Sequence, residues 1–234
     1  MKPELEEAKL KAALEAVKHV QNSNIVGLGS GSTAAYAIIA IGEKIKSENL
    51  NVMGIPTSYQ AFALAVKQGI PLTTLEEHAI IDVTIDGADQ IDVNLNLIKG
   101  MGAALAREKI VASASKHNII VADESKKVKV LGEMGQPVPI EVLPFANSQV
   151  QRKIEAIGGK PVLREGKGKL GPVITDNGNM ILDAVFGEIN DPTVLGIKLK
   201  MIPGVVETGL FVGLTDVAYL GASSGTEKIA SKRK

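Results

Sequence analysis

The sequence predicts an α/β protein: a mostly parallel sheet covered by helices on both faces, followed by a smaller α+β domain. Three observations predict it. Short β-branched or apolar runs alternate with helix-patterned segments through residue 122. From about Pro137 the order becomes strand-helix-strand-strand-helix-strand, the split βαβ pattern. Acids, amines and hydroxyls gather just past the ends of apolar runs, where open α/β sheets bind ligands.

The elements follow in order. Leu10, Ala13, Leu14, Val17 and Val20 recur at helical spacing and predict an amphipathic first helix. Residues 24–28 read as a strand, and Gly29-Ser30-Gly31-Ser32-Thr33 as the turn after it. An apolar helix follows over 34–45, which Ser32 or Thr33 would cap. Residues 50–55 form a second strand. Thr57-Ser58 caps a helix that stops at Gly69, before Pro71, and 71–75 makes a short strand. Ile80, Ile81, Val83 and Ile85 suit a buried strand, which breaks at Asp86-Gly87-Ala88-Asp89. The apolar segment 95–98 leads to Lys99-Gly100-Met101-Gly102. From Ala103 a helix carries Arg107-Glu108-Lys109. Residues 118–122 are the next buried strand, with Asp123-Glu124-Ser125-Lys126-Lys127 at its end.

Strands at 138–143, 160–164, 179–186 and 205–213 build the second domain, with helices at 148–157 and from Asp191-Pro192. Asp176-Asn177-Gly178 supplies a tight turn, and Asp191 caps its helix with Pro192 at the first position. Residues 216–220 return to the first sheet, and the polar tail GTEKIASKRK is expected to fray. These boundaries give a first domain of 1–135 and 214–234 and a second of 136–213.

Composition narrows the function classes. A chain of 234 residues, 45% apolar, can bury a substantial core. Its 26 basic and 26 acidic residues cancel, so no basic excess points to nucleic acid. The absence of Cys excludes disulfides, thiolate metal sites and cysteine nucleophiles. His19, His78 and His117 are far apart, which disfavours a histidine-rich metal site. The first residues are charged, without the apolar core of a signal peptide, and no segment is long enough to cross a membrane. A cytoplasmic protein is expected.

Each motif has two readings. The turn 29–33 sits where backbone N–H groups and a helix dipole hold phosphate. A dinucleotide fingerprint would need glycine where Ser32 stands and an acid after the second strand, where Pro56 stands instead. The hydroxyls of Ser30, Ser32 and Thr33 suit a phosphate monoester; a glycine turn with a capping hydroxyl is the plainer reading. Asp86 and Asp89 fit an acid–base pair, a metal site or an Asx-turn, with Asp92 the one nearby further acid or else a solvated loop residue. Lys99 lies where an ammonium would stabilise an oxyanion, or is a surface lysine. Arg107, Glu108 and Lys109 have almost equally apolar helical neighbours, so periodicity leaves open which of them points inward. Lys126 has the same ambiguity.

Together the segments VGLGSGSTA, DGADQID, LIKGMGAALAREKI, VLPFA, VITDNGNMILD and IPGVVETGLF resemble ribose-5-phosphate isomerase, type A, in order from about Asn24 to Leu220. The resemblance implies a Rossmann-like catalytic domain and a smaller ferredoxin-like domain in oligomer contacts. It implies interconversion of ribose 5-phosphate and ribulose 5-phosphate in the non-oxidative pentose phosphate pathway, without metal or organic cofactor, by a homodimer or homotetramer. It places Glu108 as general base and Asp86, Asp89 and Lys99 at the reacting end. Ser30, Gly31, Ser32, Thr33, Gly87, Ala88, Gly100, Met101, Gly102 and Lys126 become substrate contacts. Two positions depart from the family: Gln90, where Glu is frequent, and Met101, where the family often has glycine.

Moving a proton between C1 and C2 of an open-chain sugar phosphate needs a base beside a weakly acidic C–H and fixed positive partners for the enediolate oxygens. A carboxylate, Glu108, can take and return the proton on one face. Desolvation among Ala104, Leu105 and Val111 would favour its uncharged form. Lys99 would stabilise the enediolate, Asp86 and Asp89 would move hydroxyl protons and open the ring, and phosphate binding would orient the sugar. A sugar-phosphate sensor would want a DNA-binding helix-turn-helix, and a CoA-transferase-like enzyme a CoA pocket; no segment argues for either.

Overall fold

The computed structural model describes residues 3–168 and 170–231. Its elements in chain order are α1 (Pro3–Val17), β1 (Ile25–Leu28), α2 (Ser32–Glu48), β2 (Met53–Pro56), α3 (Tyr59–Gln68), β3 (Ile81–Asp86), β4 (Gln90–Ile91), β5 (Leu97–Ile98), α4 (Leu105–Ser113) and β6 (Ser115–Asp123). After them come β7 (Val138–Val142), α5 (Asn147–Ala156), β8 (Lys160–Leu163), β9 (Met180–Val185), α6 (Pro192–Lys200), β10 (Val205–Thr208), β11 (Leu210–Phe211), β12 (Val217–Ala222) and β13 (Gly225–Ala230). The chain divides into two units. Residues 1–88, 107–127 and 214–234 form the first, and 89–106 with 128–213 the second. The division thus assigns 89–106 and 128–135 to the second unit.

In the first unit six strands run in the order β13-β12-β6-β3-β1-β2, parallel except for β13. Alternation along β1 sorts its side chains by face. Val26 and Leu28 join a core with Ile38 and Ile41 of α2, Ala61 and Ala65 of α3, and the alanines of α1. Ile25 faces the other way, packing with Ile55, Ile81 and Val111 of α4. Both faces of the sheet are therefore covered by helices.

Of the stripe expected for helix α1, Ala13, Val17 and Val20 are buried, but the inward face is rotated toward its alanines and leaves both leucines outside. Ala8, Ala12, Ala13, Ala16 and Val17 face inward, while Leu10 and Leu14 are exposed. The reason is distance. The helix lies so close to β12 that a Cβ at Gly221 would stand 1.8 Å from the carbonyl oxygen of Ala8, and only small side chains fit such an approach. Two more expectations are corrected. Residues 71–75 form no strand but a single bridge, Gly54 to Leu72. The tail is ordered through Ala230, because β13 pairs antiparallel with β12 along its whole length; its last three residues lie outside the described ones.

In the second unit β7, β8, β9 and β10 form an antiparallel sheet in the order β10-β7-β9-β8, with α5 and α6 in the connections. That order is the ferredoxin-like one. Its core joins Val138, Ile140 and Val142 of β7 to Val150 and Ile154 of α5 and Leu199 of α6. The strand expected over 205–213 is really two. β10 pairs with β7, and after Gly209 β11 pairs with β5 in a three-stranded sheet, β11-β5-β4. Asp191 caps α6 through the Val194 N–H, with Pro192 following as the sequence indicates.

Candidate active site

In the first unit β1 leads through α2 to β2 on one side, and the chain then returns to lay β3 on the other side of β1. The carboxyl ends of β1 and β3 therefore flank a topological switch point, the place where such sheets open a crevice. Gly29–Thr33 leaves β1 there, and Asp86-Gly87-Ala88 leaves β3. The two turns touch. Asp86 is buried, and its Oδ1 accepts from the Ser30 N–H at 3.0 Å and the Gly87 N–H at 2.7 Å. A Cβ at Gly29 would fall 2.5 Å from the Asp86 Cα, so this approach requires glycine.

The Ser30 hydroxyl meets Thr57 Oγ1 at 2.8 Å and donates to Ser58 Oγ at 2.6 Å. Ser58 in turn caps α3 by accepting from the Ala61 N–H, as its place before a helix predicts. Ser32 and Thr33 do not cap α2: Gly31 holds the cap position, with no side-chain hydrogen bond. The amino end of this 17-residue helix thus keeps its dipole and backbone donors for an anion, with the Ser32 and Thr33 hydroxyls beside it. No motif flagged Gln60, whose Oε1 accepts from the Gly31 N–H at 2.9 Å.

The first unit also decides the charged triplet of α4. Glu108 is 4% exposed, whereas Arg107 and Lys109 are half-buried. Arg107 instead lies over the Tyr59 ring, 5.3 Å from its centroid. Lys126 is half-buried in a short 3₁₀ turn over Glu124–Lys126, whose start Asp123 caps. Lys9 of α1, which no motif singles out, is buried, and its ammonium donates to Glu6 Oε1 at 2.9 Å.

In the second unit β4 and β5 bring Asp89 and Lys99 to adjacent turns. The Asp89 N–H donates to Ile98 O, and the Lys99 N–H to Gly209 O, both at 2.9 Å. Asp89 Oδ2 accepts from the Met101 N–H at 3.1 Å. Lys99 is buried, its ammonium 5.4 Å from the centroid of the fully buried Phe211 ring. Asp92 is neither solvated nor aimed at the turn. It is buried, and its carboxylate accepts from the N–H groups of Asn94 and Asn96 and from the Asn96 amide. Among the described residues no group of three or more His, Cys, Asp or Glu side chains is placed to hold a metal ion.

The two sequence departures have structural reasons. Gln90 Nε2 donates to Glu133 O at 2.9 Å, and its Oε1 accepts from the Gly132 N–H at 2.8 Å. One donor and one acceptor are needed, which an amide supplies and a carboxylate does not. Met101 is exposed, and its Sδ lies 3.8 Å from Arg164 Nη2.

Comparison with known proteins places this arrangement. Residues 53–225 match the family model for ribose 5-phosphate isomerase A (phosphoriboisomerase A). The ribose-5-phosphate isomerase A of Methanosarcina acetivorans is 49% identical over 97% of this chain and 95% of its own. The chain belongs to the ribose 5-phosphate isomerase A family. Solved members of the family share its fold. The Methanocaldococcus jannaschii ribose 5-phosphate isomerase A superposes with a TM-score of 0.93 at 45% identity, covering 97% of this chain and 99% of that one. A D-ribose-5-phosphate isomerase in complex with phospho-erythronic acid gives 0.94 at 45% identity, over the same shares.

Proposed function

We propose that this chain, an aldose–ketose isomerase by family, interconverts D-ribose 5-phosphate and D-ribulose 5-phosphate through an enediolate, with Glu108 as the general base. The observation that carries the assignment is the burial of Glu108 within a triplet whose other members are half-buried. The Glu108 carboxylate takes the proton from C2 of the open-chain aldose and returns it to C1 on the same face. Lys99 stabilises the negative charge on the C1 and C2 oxygens as it develops. Asp86 and Asp89 move the hydroxyl protons and assist ring opening. The turn Ser30-Gly31-Ser32-Thr33, with Gly87, Ala88, Gly100, Met101, Gly102 and Lys126, binds the substrate. The uncapped amino end of α2 supports phosphate recognition there.

The bound phospho-erythronic acid of the solved relative supports the same chemistry. A phosphorylated four-carbon acid carries a phosphate at one end and delocalised oxygen charge at the other, as an enediolate phosphate does. The proposal extends to a place in the non-oxidative pentose phosphate pathway, a cytoplasmic location and a homodimer or homotetramer. In it residues 1–135 and 214–234 are the catalytic domain, and 136–213 contribute oligomer contacts. Among the described residues no helix is long and apolar enough to cross a membrane.

The test is an assay of purified protein with ribose 5-phosphate in excess EDTA, following ribulose 5-phosphate. Sustained turnover supports the reading. Binding of the sugar phosphate without turnover would favour a sensor instead.

A further inference from the structure

The second unit contains a little-exposed arginine with every donor placed. Arg164 follows β8, and its side chain is 12% exposed. Its Nε donates to Asp183 Oδ2 at 2.7 Å, and Nη2 to Asp183 Oδ1, a bidentate fork onto β9. Its Nη1 donates to two successive carbonyls, Gly100 O and Met101 O, both at 2.9 Å. The remaining Nη2–H faces Met101 Sδ at 3.8 Å. A guanidinium has five N–H donors, and all five are used here.

The consequence lies on the other side of those peptides. In a planar trans peptide the C=O and the following N–H point in opposite directions. Two carbonyls converging on Nη1 therefore turn the N–H groups of Met101 and Gly102 away from Arg164. The first of these donates to Asp89 Oδ2. Drawing electron density toward the guanidinium also polarises both peptides, strengthening their N–H groups as donors.

We infer that Arg164, locked by Asp183, is a positioning residue of the isomerase reaction: it fixes the 100–102 peptides so that the Met101 N–H orients the Asp89 carboxylate. The inference rests on the proposed role of Asp89 in hydroxyl proton transfer. It also accounts for Met101, whose sulfur meets the fifth N–H of the guanidinium where the family often has glycine. Lysine cannot replace Arg164, because one ammonium cannot fork onto Asp183 and hold two carbonyls at once.

The test compares wild type with Arg164→Ala and Arg164→Lys by steady-state kinetics, with and without millimolar guanidinium chloride. Misplacement of a proton-transfer group predicts a kcat lower by about tenfold to a hundredfold in both variants, with KM changed less than about threefold. Guanidinium is expected to restore part of the kcat of Arg164→Ala and none of that of Arg164→Lys. An active wild type beside a folded Arg164→Ala of unchanged kcat overturns the inference alone, as does an Arg164→Lys of full activity. A wild type without isomerase activity overturns the functional reading beneath it. Should the variants fail to fold, NMR of wild type decides: separate, slowly exchanging Arg164 Hη signals are expected, and a single averaged signal contradicts the clamp.

Discussion

The backbone N–H of Ser30 donates to Asp86 Oδ1, joining the turn after β1 to the end of β3 at the switch point of the sheet. Asp86 therefore holds the turn after β1 in shape, and the proposed mechanism also asks its carboxylate to move sugar hydroxyl protons. The two roles separate by substitution. Asp86→Asn keeps an oxygen acceptor for Ser30 and Gly87, so its melting temperature is expected to stay near that of wild type while kcat falls about a hundredfold. Asp86→Ala strands two N–H donors, costing about 1–3 kcal/mol of stability and raising KM as well. Thermal unfolding with steady-state kinetics checks both, and an Asp86→Asn enzyme with wild-type kcat would remove the proton-transfer role.

The free amino end of α2 predicts a different signature for its hydroxyls. Thr33→Ala is expected to raise KM for ribose 5-phosphate several-fold with kcat nearly unchanged, because phosphate binding is the same in ground and transition states. An unchanged KM would count against phosphate binding at this turn.

Asp92 predicts stability without catalysis. Its carboxylate is buried and accepts three hydrogen bonds within residues 94–96. Asp92→Ala should lose about 2–3 kcal/mol in denaturant unfolding and leave kcat per folded molecule intact. A stable variant with impaired kcat would instead place Asp92 in the chemistry.

Asp82 predicts a pH dependence. Its bond from the Lys116 ammonium, joined by one from the Ile25 N–H, holds its carboxyl below the ordinary value of 3.8. A folded-state value below the unfolded one means that the unfolded chain binds the extra proton. The stabilisation is thus complete above 3.8 and is lost as pH falls from there through the lowered folded value. Wild type should melt above Asp82→Asn at neutral pH, and the gap should close in acid. A gap that stays constant down to the acid end would contradict this linkage.

Much of this molecule is legible in its residues because period and punctuation agree. Ser58 and Asp191 cap the helices their positions predict, and the βαββαβ order of the second unit is written in its strand spacing. What is hidden depends on contacts between distant segments. Periodicity treats Arg107, Glu108 and Lys109 alike, and only the folded chain singles out Glu108 by burying it. Ala13 and Val17 of the expected α1 stripe are buried, but Leu10 and Leu14 are left out because close approach at Gly221 favours alanine over volume. Asp92 resembles a loop acid until Asn94 and Asn96 fold back onto it. Arg164 gives no sequence signal at all, since its partners lie 19 and more residues away.

In the proposed mechanism the Glu108 carboxylate carries the proton between C1 and C2. The most direct test is kcat for ribose 5-phosphate in Glu108→Gln, which keeps the size of the side chain and removes its basicity. A loss of at least about a hundredfold in kcat is expected, with KM little changed and the fold intact. A folded Glu108→Gln enzyme turning over at near the wild-type rate would contradict it.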